Sequence, residues 1–222
     1  MVPQPLIELA GVAVALPDGR PSPRVSFNVM RGEFGCLHGS TGSGKSLALK
    51  LIAGLADPCA GEVRVAGELV NEFSERQRLW LRRSMGFMMQ RSTLLEDFSV
   101  MDNVMLPALA AEEPGREARA RAERALERCG ITILRNARVK DLSAGQRQLV
   151  SLAQAVINHP VVILADEPAA HLDAGNAQAL MDLLGNFSLA GVAVIVASHL
   201  RLAPSTAPCR TINLDAFLER PA

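Results

Sequence analysis

Between residues 34 and 53 the chain runs Phe34-Gly35-Cys36-Leu37-His38, then Gly39-Ser40-Thr41-Gly42-Ser43-Gly44-Lys45-Ser46, then a helical pattern from residue 45 to 53. The middle octet fits G-x-x-x-x-G-K-[ST] at every fixed position. Its glycines let the backbone fold back so that successive N–H groups converge on phosphate oxygens, and Lys45 adds a point charge at the outer phosphates. Ser46 is placed to ligate Mg²⁺. A short buried strand before the loop and a helix after it would aim the helix's N-terminal dipole at the same phosphates. The chain is therefore constrained to an α/β fold in which strand, loop and helix build an ATP site.

The rest of the sequence supports that class. Residues 6–16 are rich in Val, Leu and Ala and stop at Pro17-Asp18-Gly19, a strand leading into a turn. Residues 25–29 and 34–37 read as strands joined through Arg31-Gly32. Gly61-Glu62-Val63-Arg64-Val65-Ala66-Gly67 alternates apolar and polar residues between glycines, a half-exposed strand. Residues 74–83 are charged and helical, and residues 85–89 form a short strand ending at Gln90. From residue 91 to 141 strand signals vanish. Residues 114–129 place Ala118, Ala122, Ala125, Leu126 and Cys129 on one helical face, with Gly130 as the C-terminal stop. A helix over 144–158 ends at Pro160. Val161-Val162-Ile163-Leu164-Ala165 is a continuous apolar run of the buried parallel type. A helix over 175–188 and a buried strand over 192–198 follow.

At 222 residues one domain is expected: a catalytic core of residues 1–90 and 159–222, with a helical lobe at 91–158. Lys and Arg together equal Asp and Glu at 23 each, which speaks against a nucleic-acid partner. The apolar runs at 104–111 and 192–197 are too short to span a bilayer, which takes about 18 residues. No export signal is read at the start. Cys36, Cys59, Cys129 and Cys209 lack any C-x-x-C spacing, so they are expected to be reduced, buried small side chains rather than zinc ligands or disulfides.

Asp166 and Glu167 follow the apolar run directly, at the carboxyl end of a strand, where an open α/β sheet keeps its ligand crevice. Asp166 would hold Mg²⁺ opposite Ser46, and Glu167 would polarise the water that attacks the γ-phosphate.

In this order the residues resemble the nucleotide-binding subunit of ATP-binding-cassette proteins over nearly the whole chain. Residues 39–46 look like the Walker A loop, Gln90 like the Q-loop glutamine and Leu142-Ser143-Ala144-Gly145-Gln146 like the signature. Residues 162–167 look like Walker B with its glutamate, His171-Leu172-Asp173 like the D-loop, and His199 in Ala197-Ser198-His199 like the switch histidine. The resemblance implies a P-loop NTPase core, a mixed, largely parallel sheet with an N-terminal antiparallel part and an inserted helical lobe. It implies a head-to-tail homodimer holding two ATP molecules, each between one subunit's residues 39–46 and the other's signature, where Ser143, Gly145, Gln146 and Asp173 bind the nucleotide and Ser143 and Gly145 donate to the γ-phosphate. Gln90 would contact Mg²⁺ and report the γ-phosphate, and His199 would stabilise developing charge.

Leu164-Ala165-Asp166-Glu167-Pro168 and Asp102-Asn103-Val104 look most like the group of lipoprotein-releasing, MacB-type and FtsE-type ATPases. Ala144 stands where the family usually has glycine, Leu149 and Gln154 where arginines are common, Ala169 for threonine or serine, and Leu200 for an acidic residue. Leu16 stands about where an aromatic side chain stacks on adenine, with Phe27 as an alternative platform. The implied partner is an integral membrane protein of permease type on the cytoplasmic face of the inner membrane, gripped by a groove near residues 94–104 that includes Leu95 and Val100. The rival reading is a nucleotide-gated scaffold of FtsE type in which turnover is incidental.

Overall fold

Two kinds of strand periodicity produce two sheets. The computed structural model of the chain describes residues 4–15, 20–90 and 94–215. Its first half carries β1 (Ile7–Ala13), β2 (Val25–Val29), β3 (Phe34–His38), α1 (Lys45–Ile52), β4 (Ala60–Val65), β5 (Glu68–Leu69), α2 (Glu75–Arg83) and β6 (Met85–Met88). Its second half carries α3 (Val100–Ala110), α4 (Gly115–Arg128), α5 (Ala144–Val156), β7 (Val162–Asp166), α6 (Ala174–Leu189), β8 (Ala193–Ala197) and β9 (Cys209–Asn213). Strands β2-β1-β4-β5 form an antiparallel sheet, and β6-β7-β8-β3-β9 form a second sheet in which every pairing is parallel.

The alternation of side chains along a strand explains how the layers stack. β1 buries Ile7 and Leu9 and leaves Ala10 exposed, as a one-faced sheet requires. β7 and β8 are buried at every residue. Val162 and Leu164 join a core with Ile7, Leu9, Leu37 and Ile52, whereas Ile163 and Ala165 join another with Val104, Leu126, Leu152 and Leu184. The parallel sheet is thus the middle layer, with α1 and the antiparallel sheet on one side and α3 to α6 on the other.

Local chemistry fixes the helix starts. Ser74, Ser99 and Ser143 each accept a hydrogen bond from the N–H three residues on, and the side chains of Gln77, Asp102 and Gln146 return the bond, so three helices begin in capping boxes. α4 buries the face anticipated from its alanines, and Gly130 ends it at φ 68°. Pro107 lies inside α3 and lacks the N–H that would bond to Asn103. Gln154 of α5 supplies it instead, donating from Nε2 to the Asn103 carbonyl at 2.9 Å, while Asn158 Nδ2 donates to the Pro107 carbonyl at 3.1 Å.

Four expectations need correcting. Val100 is fully buried in the core under α3, as is Val104, so within 94–104 only Leu95 and Phe98 among the large apolar residues offer an outward face. Phe27 packs into the antiparallel core and offers no platform for a base, and Leu16 lies outside the described residues. Of the cysteines only Cys129 is buried; Cys59 is exposed, and Cys36 and Cys209 are half-buried with their sulfurs 2.9 Å apart. Strand β9 was not anticipated, because as an edge strand it buries Ile212 alone among its five residues. Among the described residues no helix is long and apolar enough to cross a membrane.

Candidate active site

The loop at 39–46 runs from the end of β3 into α1, and its conformation needs glycine where the sequence has it. Gly42 and Gly44 take φ of 86° and 91°, and a Cβ on Gly39 would lie 2.5 Å from Ser43 Oγ. Lys45 is only 8% exposed and folds back over the loop, donating to the carbonyls of Gly39 at 2.7 Å and Ser40 at 2.9 Å. Among the described residues the buried Ser43 Oγ has no hydrogen-bond partner, and it is a polar atom suited to a phosphate oxygen.

Parallel pairing delivers the carboxylates. β7 ends at Asp166, opposite Ala197 of β8. Asp166 Oδ1 accepts from Ser46 Oγ at 2.9 Å, so the two expected Mg²⁺ ligands, 120 residues apart, are in contact. Burial pushes the Asp166 carboxyl above its ordinary range; the Ser46 bond opposes this, and the charge of Glu167 adds to it.

Glu167 occupies the left-handed region at φ 49°, which costs a residue with a Cβ about 1–3 kcal/mol. Its N–H donates to the Ala197 carbonyl at 2.8 Å and its own carbonyl accepts from Ala170 N–H at 3.2 Å, which holds the turn. The carboxylate is gripped from β8: Oε1 accepts from His199 N–H at 2.9 Å, and Oε2 accepts from Ser198 Oγ at 3.2 Å and lies 2.9 Å from His199 Nδ1. With Glu167 as a carboxylate, which only accepts, Nδ1 is the donor of this pair.

One cavity of about 590 Å³ takes in Thr41, Gly42, Gly44, Lys45 and Ser46 together with Gln90, Glu167 and His199. It also takes in His171, which the sequence placed in the D-loop without a role at the nucleotide, and Lys50, which it did not assign; Lys50 stands four residues after Ser46 on one helix, a spacing that could have revealed it. Ser40 was expected to hold nucleotide, but its N–H and hydroxyl both donate to Asp215, with N–H distances of 3.0 and 2.9 Å and a hydroxyl distance of 2.8 Å. Asp215 follows β9 and no motif announced it.

The signature residues stand elsewhere. Ser143 and Gln146 bond one another at the start of α5, the Ser143 N–H donating to Gln146 Oε1 at 3.0 Å, and neither they nor Gly145 line the cavity. A Cβ on Gly145 would sit 3.5 Å from Asn176, whose N–H and side-chain amide donate to the Asp173 carboxylate at 2.9 and 2.6 Å. Asp173 therefore caps α6 beside the signature and, like it, does not line the cavity.

A family model described as ABC transporter matches residues 23–170, more than half of the chain. The solved dimeric structure of MJ0796, a bacterial ABC transporter cassette, is 29% identical, superposes with a TM-score of 0.82 and covers 94% of each chain. A dimeric post-hydrolysis state of the MJ0796 cassette bound to ADP and Pi is 31% identical, with a TM-score of 0.78 over 87% of this chain and 88% of that one. CbiO1 from Clostridium perfringens, part of the transporter complex cbiONQ, is 28% identical with a TM-score of 0.81, covering 88% of this chain and 79% of that one. A phosphate loop and a glutamate–histidine pair line one cavity within this fold, with Asp166 joined to the loop at Ser46, and the chain belongs to the ABC transporter family as an ATP-binding, ATP-hydrolysing cassette.

Proposed function

We propose that two copies of this cassette close head to tail on two ATP molecules and reopen after hydrolysis, and that this cycle drives a separate integral membrane protein of permease type. The observation that carries the reading is the division of the site. Residues of the phosphate loop, Gln90, Glu167 and His199 line one cavity, with Asp166 bonded to its Ser46, whereas Ser143, Gly145 and Gln146 open α5 beside Asp173 and do not line it. A facing copy completes each site, its α5 N-terminus adding N–H donors to the γ-phosphate. The dimeric MJ0796 cassettes and CbiO1 in its transporter complex support both the pairing and the membrane partner.

Within one site the loop N–H groups, Lys45 and the α1 N-terminus hold the β- and γ-phosphates. Ser46 Oγ and Asp166 Oδ1, with the Gln90 amide oxygen, are hard oxygen donors that would hold Mg²⁺, which would supply positive charge against the negative charge of the phosphates. Glu167 orients the attacking water and takes its proton, and His199 holds that carboxylate while its Nε2 faces the transferred phosphoryl group. Gln146 and Asp173 keep signature and D-loop in shape at the dimer face.

The segment 91–158 acts as the lobe that meets the membrane partner at the cytoplasmic face of the inner membrane. Asp102 and Asn103, which liken the chain to the lipoprotein-releasing, MacB-type and FtsE-type group, tie down the approach to α3. Asp102 caps the helix, and Asn103 bonds both the N–H and the carbonyl of Leu95, at 2.7 and 3.0 Å. Leu79, Trp80, Met89, Leu95 and Phe98 present the exposed apolar surface a partner would cover.

Light scattering after size exclusion, with and without ATP-Mg²⁺, tests the assembly. Glu167→Gln is expected to bind ATP, hydrolyse it far more slowly and accumulate as a dimer, and adding Ser143→Arg is expected to return it to a monomer. A Glu167→Gln chain that stays monomeric at saturating ATP refutes the proposal.

A further inference from the structure

Two thiols meet beside the phosphate loop. In the parallel pairing of β3 with β9, Phe34 stands opposite Cys209 and Cys36 opposite Thr211. Side chains two residues apart on a strand share a face, so Cys36 and Cys209 lie diagonally on the same side of the sheet. Their sulfurs are 2.9 Å apart although 173 positions separate them in the sequence. Both are free thiols, and Cys36 Sγ also lies 3.6 Å from the Leu202 carbonyl, to which it can donate. A cavity of about 250 Å³ opens onto the pair and is lined by both cysteines, Arg201 and Leu202. β9 is the edge of the sheet, so the pair can be approached from outside.

We propose that Cys36 and Cys209 form a reversible dithiol–disulfide site that reacts with small disulfides carrying carboxylates, of the oxidised glutathione class, and slows ATP turnover when closed. The Arg201 guanidinium at the cavity supplies charge complementary to such an oxidant. Cys209 is the attacking group: with the single Cys36 hydrogen turned to it rather than to Leu202, its thiolate is held below the ordinary thiol range, while that contact first and burial second push Cys36 up. The other cysteines are unlike these two. Burial pushes the Cys129 thiol up to about 12, and Cys59 is a free thiol exposed to solvent.

The Cys209 thiolate attacks one sulfur of the small disulfide and expels one thiolate, giving a mixed disulfide. Cys36 then loses its proton and attacks Cys209 Sγ, expelling the second thiolate. Two protein thiols are oxidised and one small disulfide is reduced to two thiols, with no other reactant needed. Closure draws the sulfurs to about 2.05 Å and leaves Cys36 with no hydrogen for either Cys209 or Leu202. Leu202 stands three residues after His199, and the two joined strands lead to Gly39 and to Asp215, which braces Ser40. The bond thus acts on the loop and on the segment behind the switch histidine together.

The test equilibrates the full chain in oxidised and reduced glutathione at several ratios, blocks free thiols with N-ethylmaleimide, and reads intact mass, peptide map and ATP turnover. Two of the four thiols are expected to disappear together, with a Cys36–Cys209 cross-linked peptide and a severalfold fall in turnover that dithiothreitol reverses. Cys36→Ser is expected to stop at a stable mixed disulfide on Cys209. Modification confined to Cys59, or a parent chain that stops at the mixed disulfide, overturns the site; a bond that forms with turnover unchanged overturns its effect on catalysis. The parent map decides the first question even if a variant folds poorly, and a Cys59→Ser chain, altered only at an exposed side chain, repeats it without the competing thiol. The bond requires neither dimer closure nor a membrane partner, so its failure is distinct from theirs.

Discussion

Replacing Gln154 with leucine should unmask the proline in α3. Pro107 cannot donate to the Asn103 carbonyl, and Gln154 Nε2 stands in for the missing N–H at 2.9 Å across the contact between α3 and α5. Asn103 is fully buried, so its carbonyl has no recourse to water. Leucine keeps roughly the same bulk but removes the donor, and leaving a buried acceptor unsatisfied costs about 1–3 kcal/mol. Urea titration followed by far-ultraviolet circular dichroism should show the midpoint falling with an unchanged slope. The discriminating arm is Pro107→Ala, which restores a backbone N–H for the same carbonyl. In that background Gln154→Leu should cost less by at least about 1 kcal/mol, a coupling beyond the ~0.3–0.5 kcal/mol scatter of independent sites. Equal costs in the two backgrounds would refute the substitution of side chain for backbone.

Lys45→Ala should abolish ATP affinity in a nucleotide titration while the unfolding transition persists; an unchanged dissociation constant would remove the phosphate loop from the site. Asp166→Asn should raise the melting temperature of the chain without nucleotide at pH 7. Burial lifts the folded pKa of Asp166 above its unfolded value, so its ionisation costs stability that sets in as pH rises through the shifted range and is absent below about pH 3.9. A gain that persists undiminished in acid would contradict this, and Mg²⁺-dependent ATP binding should fall in the same variant. Asp215→Ala should raise the KM for ATP more than it lowers kcat, because Asp215 positions Ser40 and touches no reacting atom, and Asp215→Asn, which keeps an acceptor oxygen, should recover part of the loss. If the asparagine variant is no better than alanine, the brace is not a hydrogen bond.

What could be read from the chain was what is local or periodic. The octet at 39–46 specifies its own turn through glycines at φ near 90°, and the run at 161–165 is apolar throughout because both faces of β7 meet cores. The alanine face of α4 was likewise visible, since period 3.6 survives an arginine-rich helix. What escaped depends on partners distant in sequence. β9 shows one buried residue in five and is a strand only because β3 offers an unpaired edge. Asp215 gains its role from Ser40, 175 residues earlier. Val100 belongs to an apolar stretch that looked like a groove, yet the capping box at Ser99 turns it inward. Gln154 seemed only a departure from an arginine until α3 placed a proline opposite it.

The hold of β8 on Glu167 has a consequence for how much change this site withstands. The Glu167 N–H bonds to the Ala197 carbonyl one step beyond the Asp166–Ala197 rung, so the ladder between β7 and β8 continues into the reacting groups, and His199 follows two residues on. Slipping one strand past the other by a residue moves it about 3.3 Å and turns its side chains to the opposite face. No adjustment of a rotamer would restore the pair. Insertions between residues 200 and 208 leave that ladder untouched, whereas a single deletion inside 193–197 should silence the enzyme while most of its core still packs.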